Sequence, residues 1–308
     1  MPPIHITTPL LEHRLLSEAI GKKILLKMEC LQPPGSFKIR GVGYLCQKAV
    51  ESGATHLISS SAGNAGYAVA YAGRKLGVKV TVVTPENSSP RARDLIRSEK
   101  AELIIHGLAW DDAHLRAQEC LLDAQCAYVP PFDHPDLWTG HSTLIDELET
   151  QCAQPDAVVL SVGGGGLMCG VLEGMERLGW RTPVIAAETR GADSFYQSVE
   201  KGRLVTLNAI TSIAQSLGAK TVAQKALDWT SRHEIRTVVV SDKDAVKACL
   251  AFADDRKILV EPACGASLAV AYDNLAVLKE ARMVVVIVCG GIGVTLNRMW
   301  QWKKDFNL

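Results

Sequence analysis

The sequence has no excess of either charge: its 308 residues carry 33 Lys plus Arg and 33 Asp plus Glu, for a formal net charge of zero. Proteins that bind nucleic acid or anionic membranes normally show a basic excess, so we expect neither partner. Long apolar runs are also missing, since the longest, 283–289, is far too short to cross a bilayer. The first residues lack the charged start and cleavage site of a secretory signal. These absences predict a soluble protein.

Cysteine is present, but in no pattern that binds a metal or forms a redox pair. The count is odd, at nine, and no two cysteines follow the CxxC spacing. Scattered thiols of this kind are typical of a reducing compartment, so we expect free cysteines and a cytoplasmic protein. The histidines, among them His134 and His141, show no metal-ligand spacing either and are interpreted as structural or solvated.

Short β-branched runs alternate with amphipathic segments along the whole chain. The spacing predicts strands at 24–28, 56–59, 80–84, 103–106, 158–162, 184–188, 237–241 and 284–289. Such alternation is typical of right-handed βαβ units, so the predicted fold class is α/β, with mostly parallel, open, twisted sheets flanked by helices.

Two proline-rich segments divide this pattern. "LQPPGS" at 31–36 and "VPPFDHPDLWTG" at 129–140 bracket about one hundred residues that hold several strand–helix pairs. We therefore expect two domains: a large one formed by residues 1–34 and 136–308, and a small one formed by residues 35–135.

Four consecutive glycines, Gly163 to Gly166, stand in the stretch "SVGGGGLMCG", after an apolar run and before a predicted helix. Glycine lets the backbone approach a ligand closely, and the start of a helix points N–H groups at it, so the loop predicts an anion site. The spacing of Gly164, Gly166 and Gly170 also fits a dinucleotide loop, with Glu188 placed to bind a ribose. A nicotinamide- or flavin-binding oxidoreductase and a plain turn therefore remain alternatives.

Two further loops place polar groups at the start of predicted helices. In "SSSAGNAG", Ser61, Gly63 and Asn64 predict a second anion site, with an ordinary capped helix as the alternative. In "PPGSFKIRG", Ser36 is the predicted N-cap and Lys38 lies in the first turn, where the helix dipole disfavours the ammonium form. A free amine can attack a carbonyl. A phosphate-bearing aldehyde cofactor would account for this lysine and one cradle, and an amino-acid carboxylate for the other; a solvated lysine is the alternative.

Cys289 ends the last predicted strand and is followed by two glycines. Open α/β sheets bind ligands at the carboxyl ends of their strands, so one interpretation is a thiol that faces a cofactor ring. The other is a small buried hydrophobe, the more common role of cysteine.

In these motifs, taken in order, the chain resembles the fold-type II pyridoxal-phosphate enzymes, and most closely the L-serine/L-threonine dehydratases (ammonia-lyases). The resemblance runs through "TPLLEH", "PPGSFKIRG", "SSSAGNAG", "PPFDHPDLWTGH", "SVGGGGLMCG", "ILVEPACGASLA" and "VVVIVCGG". It implies a fold like the tryptophan synthase β chain, pyridoxal 5'-phosphate as the cofactor, an amino-acid substrate and a homodimer. It also implies β-elimination of L-serine to pyruvate and ammonia, and of L-threonine to 2-oxobutyrate and ammonia.

The resemblance assigns a role to each matching residue. It implies that Lys38 forms the internal aldimine, that Phe37 packs beside the cofactor ring, and that Cys289 faces the pyridine nitrogen, as in liver-type serine dehydratases. It implies a substrate-carboxylate loop made of Ser61, Ala62, Gly63, Asn64 and Ala65, with Ala62 and Asn64 also next to the cofactor. It implies a phosphate loop made of Gly163, Gly164, Gly165, Gly166 and Leu167. A potassium ion is implied at Glu188 and the carbonyls of Ala192, Leu217 and Ala219.

Several alternatives stay open within and outside this family. Ser61 keeps the position of the second acid/base of serine racemases, so racemase activity is an alternative, as is a β-replacing synthase. A nicotinamide enzyme would leave Lys38 and the Asn64 loop unexplained. A non-catalytic binding protein would leave unexplained why the lysine, the carboxylate loop and the phosphate loop are all present. The chain ends soon after "LNRMWQWKKDFNL", so we expect no regulatory domain of the kind that allosteric threonine dehydratases carry.

Overall fold

In a computed structural model, which describes residues 1–121 and 124–308, strands and helices alternate as expected. The described strands are β1 (Leu10–Glu12), β2 (Lys23–Lys27), β3 (His56–Ser59), β4 (Lys79–Thr84), β5 (Glu102–Ile105), β6 (Cys126–Tyr128), β7 (Ala157–Ser161), β8 (Val184–Thr189), β9 (Ile235–Val240) and β10 (Met283–Ile287). The described α-helices are α1 (Arg14–Ile20), α2 (Lys38–Glu51), α3 (Asn64–Leu76), α4 (Pro90–Ser98), α5 (Trp110–Glu119), α6 (Pro135–Gln151), α7 (Gly166–Leu178), α8 (Ser194–Lys201), α9 (Gln224–Asp228), α10 (Asp242–Arg256), α11 (Pro262–Tyr272) and α12 (Leu296–Asp305).

The strands form two sheets. The six-stranded sheet has the order β1-β2-β10-β7-β8-β9, in which only the β1–β2 pair is antiparallel. The four-stranded sheet has the order β5-β4-β3-β6 and is entirely parallel. Every residue of β7 and β8 is buried, as expected for parallel strands covered by helices on both faces. The predicted α/β fold class is confirmed.

Each of the eight predicted strands is present to within two residues at either end. The strands β1 and β6 were not predicted, because each has only three residues and is too short to show a hydrophobic period. None of the helices in the described ranges is long and apolar enough to span a membrane.

The candidate loops follow the carboxyl ends of parallel strands in both sheets. The Ser61–Ala65 loop follows β3, the glycine loop follows β7, and Cys289 lies two residues beyond β10. Parallel sheets bind ligands at this edge because their strand ends and the following helix starts meet there. The topology therefore directs all three loops towards one region.

A buried group of charges anchors α2, the helix that begins at Lys38. Arg40 makes paired hydrogen bonds to Glu29, both 2.7 Å long, and to Glu147 on α6, at 2.7 and 2.8 Å. Lys27, at the end of β2, also donates to Glu147, at 2.5 Å. Arg40, Lys27 and Glu29 are fully buried. These contacts fix the first turn of α2 against β2 and α6.

Candidate active site

The segment before Lys38 pairs with the segment after β10. The Phe37 N–H donates to the Cys289 carbonyl at 3.2 Å, and the Gly291 N–H donates to the Gly35 carbonyl at 2.9 Å. Gly290 has a φ of +86°, and a Cβ there would lie 2.3 Å from the Gly35 carbonyl oxygen, so only glycine permits this approach. The pairing brings Lys38 and Cys289 into the same cavity.

The predicted N-cap at Ser36 is wrong. Phe37 is the cap residue of α2, and no side chain caps the helix. Ser36 forms an isolated bridge with Gly290, which holds its backbone in the paired segment and moves the helix start to Lys38. Its hydroxyl is buried and has no hydrogen-bond partner in the described part of the chain.

Lys38 is the first residue of α2, and its side chain lies in a desolvated position. Burial lowers the pKa of Lys38 from its ordinary 10.5 to about 8, although the nearby Cys289 and Glu261 oppose the shift. Its Nζ donates to the Pro131 carbonyl at 2.5 Å. At pH 7 about a tenth of this side chain is therefore the free amine that Schiff-base chemistry requires, far more than for an ordinary lysine.

The glycine loop is closely packed on all sides. A Cβ at Gly164 would lie 2.1 Å from the Phe132 ring, and one at Gly166 would lie 2.6 Å from the Phe132 carbonyl oxygen. Gly163 lies against Leu217, and a Cβ at Gly163 would lie 3.0 Å from the Leu217 Cα. No larger residue fits without displacing these neighbours. The loop leads directly into α7, whose first N–H groups have no intrahelical acceptor and suit an anion.

Gly165→Ala is expected to weaken binding of the phosphate group at least tenfold. Gly165 has a φ of +87°, where a side chain costs about 1–2 kcal/mol, and its Cβ would lie 2.6 Å from the Ala226 Cβ. Titration of the apoprotein with pyridoxal phosphate measures the change. Gly179→Ala is the matched control, because Gly179 ends the same helix at a φ of +70° with no neighbour within 4 Å. Equal losses of affinity in both variants would contradict the prediction.

Ten of the predicted site residues line a single cavity. They are Phe37, Lys38, Asn64, Gly163, Gly164, Gly165, Gly166, Leu167, Leu217 and Cys289. Ser61, Ala62 and Gly63 lie in the partly exposed loop that leads to Asn64, and Ala65 is buried in the first turn of α3. These four do not line the cavity in the described structure.

Asn64 joins elements of the two sheets across the cavity. Its Nδ2 donates to Glu261 Oε1 at 2.9 Å and to Ser216 Oγ at 3.3 Å. Its Oδ1 accepts from the Ile292 N–H at 2.8 Å. The amide is therefore held by partners from the Glu261 and Ile292 segments, on either side of β10.

Cys289 is buried in the cavity wall beside Cys264. The hydrogen bond with Cys264 and the loss of solvent both raise the pKa of Cys289, so it is a neutral thiol near pH 7. A neutral thiol opposite a pyridine nitrogen supplies no negative charge to hold a proton on that nitrogen.

Glu188 ends β8 as predicted, but its carboxylate is buried and already bonded. Oε1 accepts from the Phe195 N–H at 2.9 Å and Oε2 from the Tyr196 N–H at 2.6 Å, which caps α8. Desolvation raises the pKa of Glu188 to about 8 despite these bonds. Glu188 has no exposed surface, so the hydroxyl of a bound ribose has no access to it, and the dinucleotide interpretation is left without an acid.

The other residues of the expected cation site lie around the same helix start. Ala192 is in the turn after β8, and Leu217 ends a short 3-10 helix, Gln215–Leu217. The Ala219 carbonyl accepts from the Ser194 hydroxyl at 2.9 Å, and the Leu217 carbonyl accepts from the Ala219 N–H at 2.8 Å. Because Leu217 also lies against Gly163, the segment around Leu217 packs against the glycine loop.

Seven further residues line the cavity and were not predicted from the sequence: Phe132, Ser161, Met168, Ser216, Glu261, Ala263 and Gly290. Pro262 gave a local signal for a helix start directly after Glu261, but the Glu261 side chain does not cap that helix, so its role gave no signal. Phe132 and Ser216 gave none, because their roles depend on contacts with Gly164 and Asn64 that are distant in sequence.

The cavity residues fit pyridoxal phosphate on three chemical grounds. Lys38 offers an amine of depressed pKa, the glycine loop offers a close-packed cradle at a helix start, and Cys289 offers an uncharged group for a ring nitrogen. An α/β fold that brings these groups together at the carboxyl ends of parallel strands defines the class of fold-type II pyridoxal-phosphate enzymes.

The chain belongs to the family of pyridoxal-phosphate dependent enzymes, whose family model matches residues 2–290. It is 48% identical to human "Serine dehydratase-like", over 98% of this chain and 94% of the relative. It is 45% identical to "L-serine dehydratase/L-threonine deaminase" from Bos taurus, over 99% of this chain and 97% of the relative. A fungal L-serine ammonia-lyase from Rhizomucor miehei has a similar structure, with a TM-score of 0.94, 37% identity and coverage of 98% and 99% of the two chains.

Proposed function

We propose that this protein is a pyridoxal-phosphate-dependent ammonia-lyase that converts L-serine to pyruvate and ammonia, and L-threonine to 2-oxobutyrate and ammonia. The observation that carries the proposal is Lys38, a desolvated amine that shares one cavity with the glycine loop and Cys289. The names of the relatives, at 45–48% identity over almost the whole chain, support the choice of substrates.

Pyridoxal phosphate, when bound, supplies an aldehyde that links to amines and a conjugated ring that takes up electrons from the substrate Cα. The chain's own residues do the rest. The N–H groups after Gly165 bind the phosphate, and Lys38, as the free amine, removes the proton from Cα. Cys289 leaves the ring nitrogen without a negative partner, which favours loss of the β-hydroxyl over a long-lived carbanion.

We extend the proposal to the remaining residues that the resemblance assigns. The loop made of Ser61, Ala62, Gly63, Asn64 and Ala65 binds the substrate carboxylate, and Phe37 packs beside the cofactor ring. Glu188 and the carbonyls of Ala192, Leu217 and Ala219 hold a potassium ion. The Ser194–Ala219 hydrogen bond supports this last assignment, because it brings the Ala219 carbonyl to the helix start that Glu188 caps.

We also propose the two domains expected above, residues 1–34 with 136–308 and residues 35–135, in a cytoplasmic homodimer. All strands of the four-stranded sheet lie between residues 56 and 128, which supports the division. The nine cysteines are all free, which fits a reducing compartment. Light scattering of the purified protein tests the dimer.

The test of the proposed function is product formation from both isomers of both amino acids. We expect pyruvate from L-serine and 2-oxobutyrate from L-threonine, with equal amounts of ammonia and with little product from the D-isomers. Conversion of L-serine chiefly to D-serine would replace the proposal with a racemase. A protein that binds pyridoxal phosphate but changes none of the four amino acids would contradict it.

The rate of cofactor uptake should depend on pH through Lys38. Only the free amine attacks the aldehyde, and because its pKa is about 8 the reactive fraction rises tenfold per pH unit below 8 and levels off above it. Stopped-flow absorbance of the apoprotein mixed with pyridoxal phosphate, between pH 6 and 10 in a buffer without amines, measures this rate. A rate that still rises steeply above pH 9 would indicate an ordinary lysine and contradict the prediction.

A further inference from the structure

The buried carboxylate of Glu261 lies in the cavity wall and has no part in the chemistry described above. It is 5% exposed, precedes Pro262 at the start of α11, and is the only acid among the described residues that line the cavity. Burial raises the pKa of Glu261, and hydrogen bonds from Ser216, Gly293 and Asn64 oppose that rise. Burial of a carboxylate costs folding free energy, so a role in ligand binding accounts for Glu261 better than a role in stability does.

Each oxygen of Glu261 accepts a different hydrogen-bond donor. Oε1 accepts from Asn64 Nδ2 at 2.9 Å, and Oε2 accepts from the Gly293 N–H at 3.0 Å. The backbone of the 291–293 segment encloses the group: a Cβ at Gly291 would lie 2.0 Å from Glu261 Cδ. The carboxylate therefore sits in one fixed orientation, with donors at both ends.

These contacts fix the orientation of the Asn64 amide. The Ile292 N–H can only donate, so the atom 2.8 Å away must be Oδ1, and an ionised Glu261 can only accept, so it must face Nδ2. Nδ2 carries two hydrogens, and one is used by Glu261. The second donates to Ser216 Oγ at 3.3 Å, a longer bond than the one to Glu261, and both Asn64 and Ser216 line the cavity. An oxygen of a ligand in the cavity could replace Ser216 as the acceptor of this N–H.

We propose that Glu261 is a positioning residue, whose carboxylate holds the Asn64 amide so that its second N–H donates to an oxygen of the bound cofactor. The inference rests on the proposed function, because it takes pyridoxal phosphate as the ligand. Glu261 makes no contact with substrate in this role and transfers no proton. It also joins α3 to the segments on either side of β10, since Asn64 begins α3.

Glu261→Gln tests the role, because it keeps the size of the side chain but replaces one acceptor with a donor. The glutamine has one acceptor oxygen, so it can accept from Asn64 or from Gly293 but not from both. Its own NH₂ group must then face the N–H of the other residue. We expect at least a tenfold loss of affinity for pyridoxal phosphate and a shift in the visible absorption maximum of the bound cofactor, whose oxygen loses its fixed donor. Glu18→Gln, at an exposed glutamate paired with Arg14, should change neither.

A double variant separates positioning from plain structural support. Glu261→Gln with Asn64→Asp restores a complementary pair, in which the amide now stands at position 261 and the acceptor at position 64, still facing the Ile292 N–H. Glu261→Gln alone should lower the melting temperature of the apoprotein, and the double variant should restore it. The affinity for pyridoxal phosphate and the absorption maximum should stay altered in the double variant, because the side chain at position 64 has no N–H to donate.

Wild-type affinity and absorption in Glu261→Gln, or their full return in the double variant, would overturn the inference. Neither measurement uses turnover, so they are independent of the substrate. If the wild-type protein bound the cofactor but left serine and threonine unchanged, the proposed function would fail while the altered spectrum of Glu261→Gln still supported the role of Glu261.

Discussion

Lys38→Ala should lose pyruvate formation from L-serine by about 10³-fold or more, together with the visible absorption band that a lysine-linked cofactor gives. The substitution removes the amine that anchors the cofactor and also the base for the Cα proton, and general-base catalysis alone contributes about 10²–10⁴-fold. The side chain is suited to both roles because burial holds its pKa at about 8. Steady-state assays and an absorption spectrum of the purified variant measure the two losses.

Two further variants separate chemistry from charge and from folding. Lys38→Arg keeps the positive charge beside Cys289 and Glu261 but offers no amine of usable pKa, so it should be as inactive as Lys38→Ala. Lys243→Ala, at an exposed position on α10, should retain full activity. Turnover within tenfold of wild type in either Lys38 variant would mean that another amine carries the reaction.

The strands and the glycine loop could be predicted because their signals are local. Runs of β-branched residues bounded by polar loops mark the eight predicted strands, and consecutive glycines before an apolar helix mark the loop at Gly163 to Gly166. Both signals depend on residues adjacent in sequence, so no knowledge of the packing is needed. The resemblance added residue roles that spacing alone could not supply.

The failures have one physical cause, which is that tertiary partners decide between local options. Ser36 has the sequence context of an N-cap, yet its backbone pairs with Gly290 and the helix starts at Lys38. Glu188 has the position of a ribose ligand, which the spacing left open as an alternative, yet its carboxylate is buried and caps α8. Glu261 accepts a hydrogen bond from Asn64, which lies 197 positions away in the sequence, and a local sequence pattern cannot predict so distant a partner.

Arg40→Met is expected to destabilise the protein by about 3–5 kcal/mol, the usual result of removing one partner from a buried charge pair. Arg40 has no exposed surface and makes four charge-assisted hydrogen bonds, two to Glu29 and two to Glu147. Without it, Lys27 still donates to Glu147, but the fully buried Glu29 keeps only the neutral donors of Thr8 and Gln32. The free energy of unfolding, from urea titration of the apoprotein, measures the loss.

The exposed pair between Arg14 and Glu18 provides the comparison. Their side chains are 71% and 61% exposed at an N···O distance of 2.7 Å, so Arg14→Met should cost no more than about 1 kcal/mol despite a similar contact length. The contrast depends on desolvation, because an unpaired carboxylate at the surface regains water whereas Glu29 does not. Since Arg40 lies two residues beyond Lys38 in the same helical turn, Arg40→Met should also weaken cofactor binding. Equal destabilisation by the two variants would show that burial does not set the strength of the Arg40 contacts.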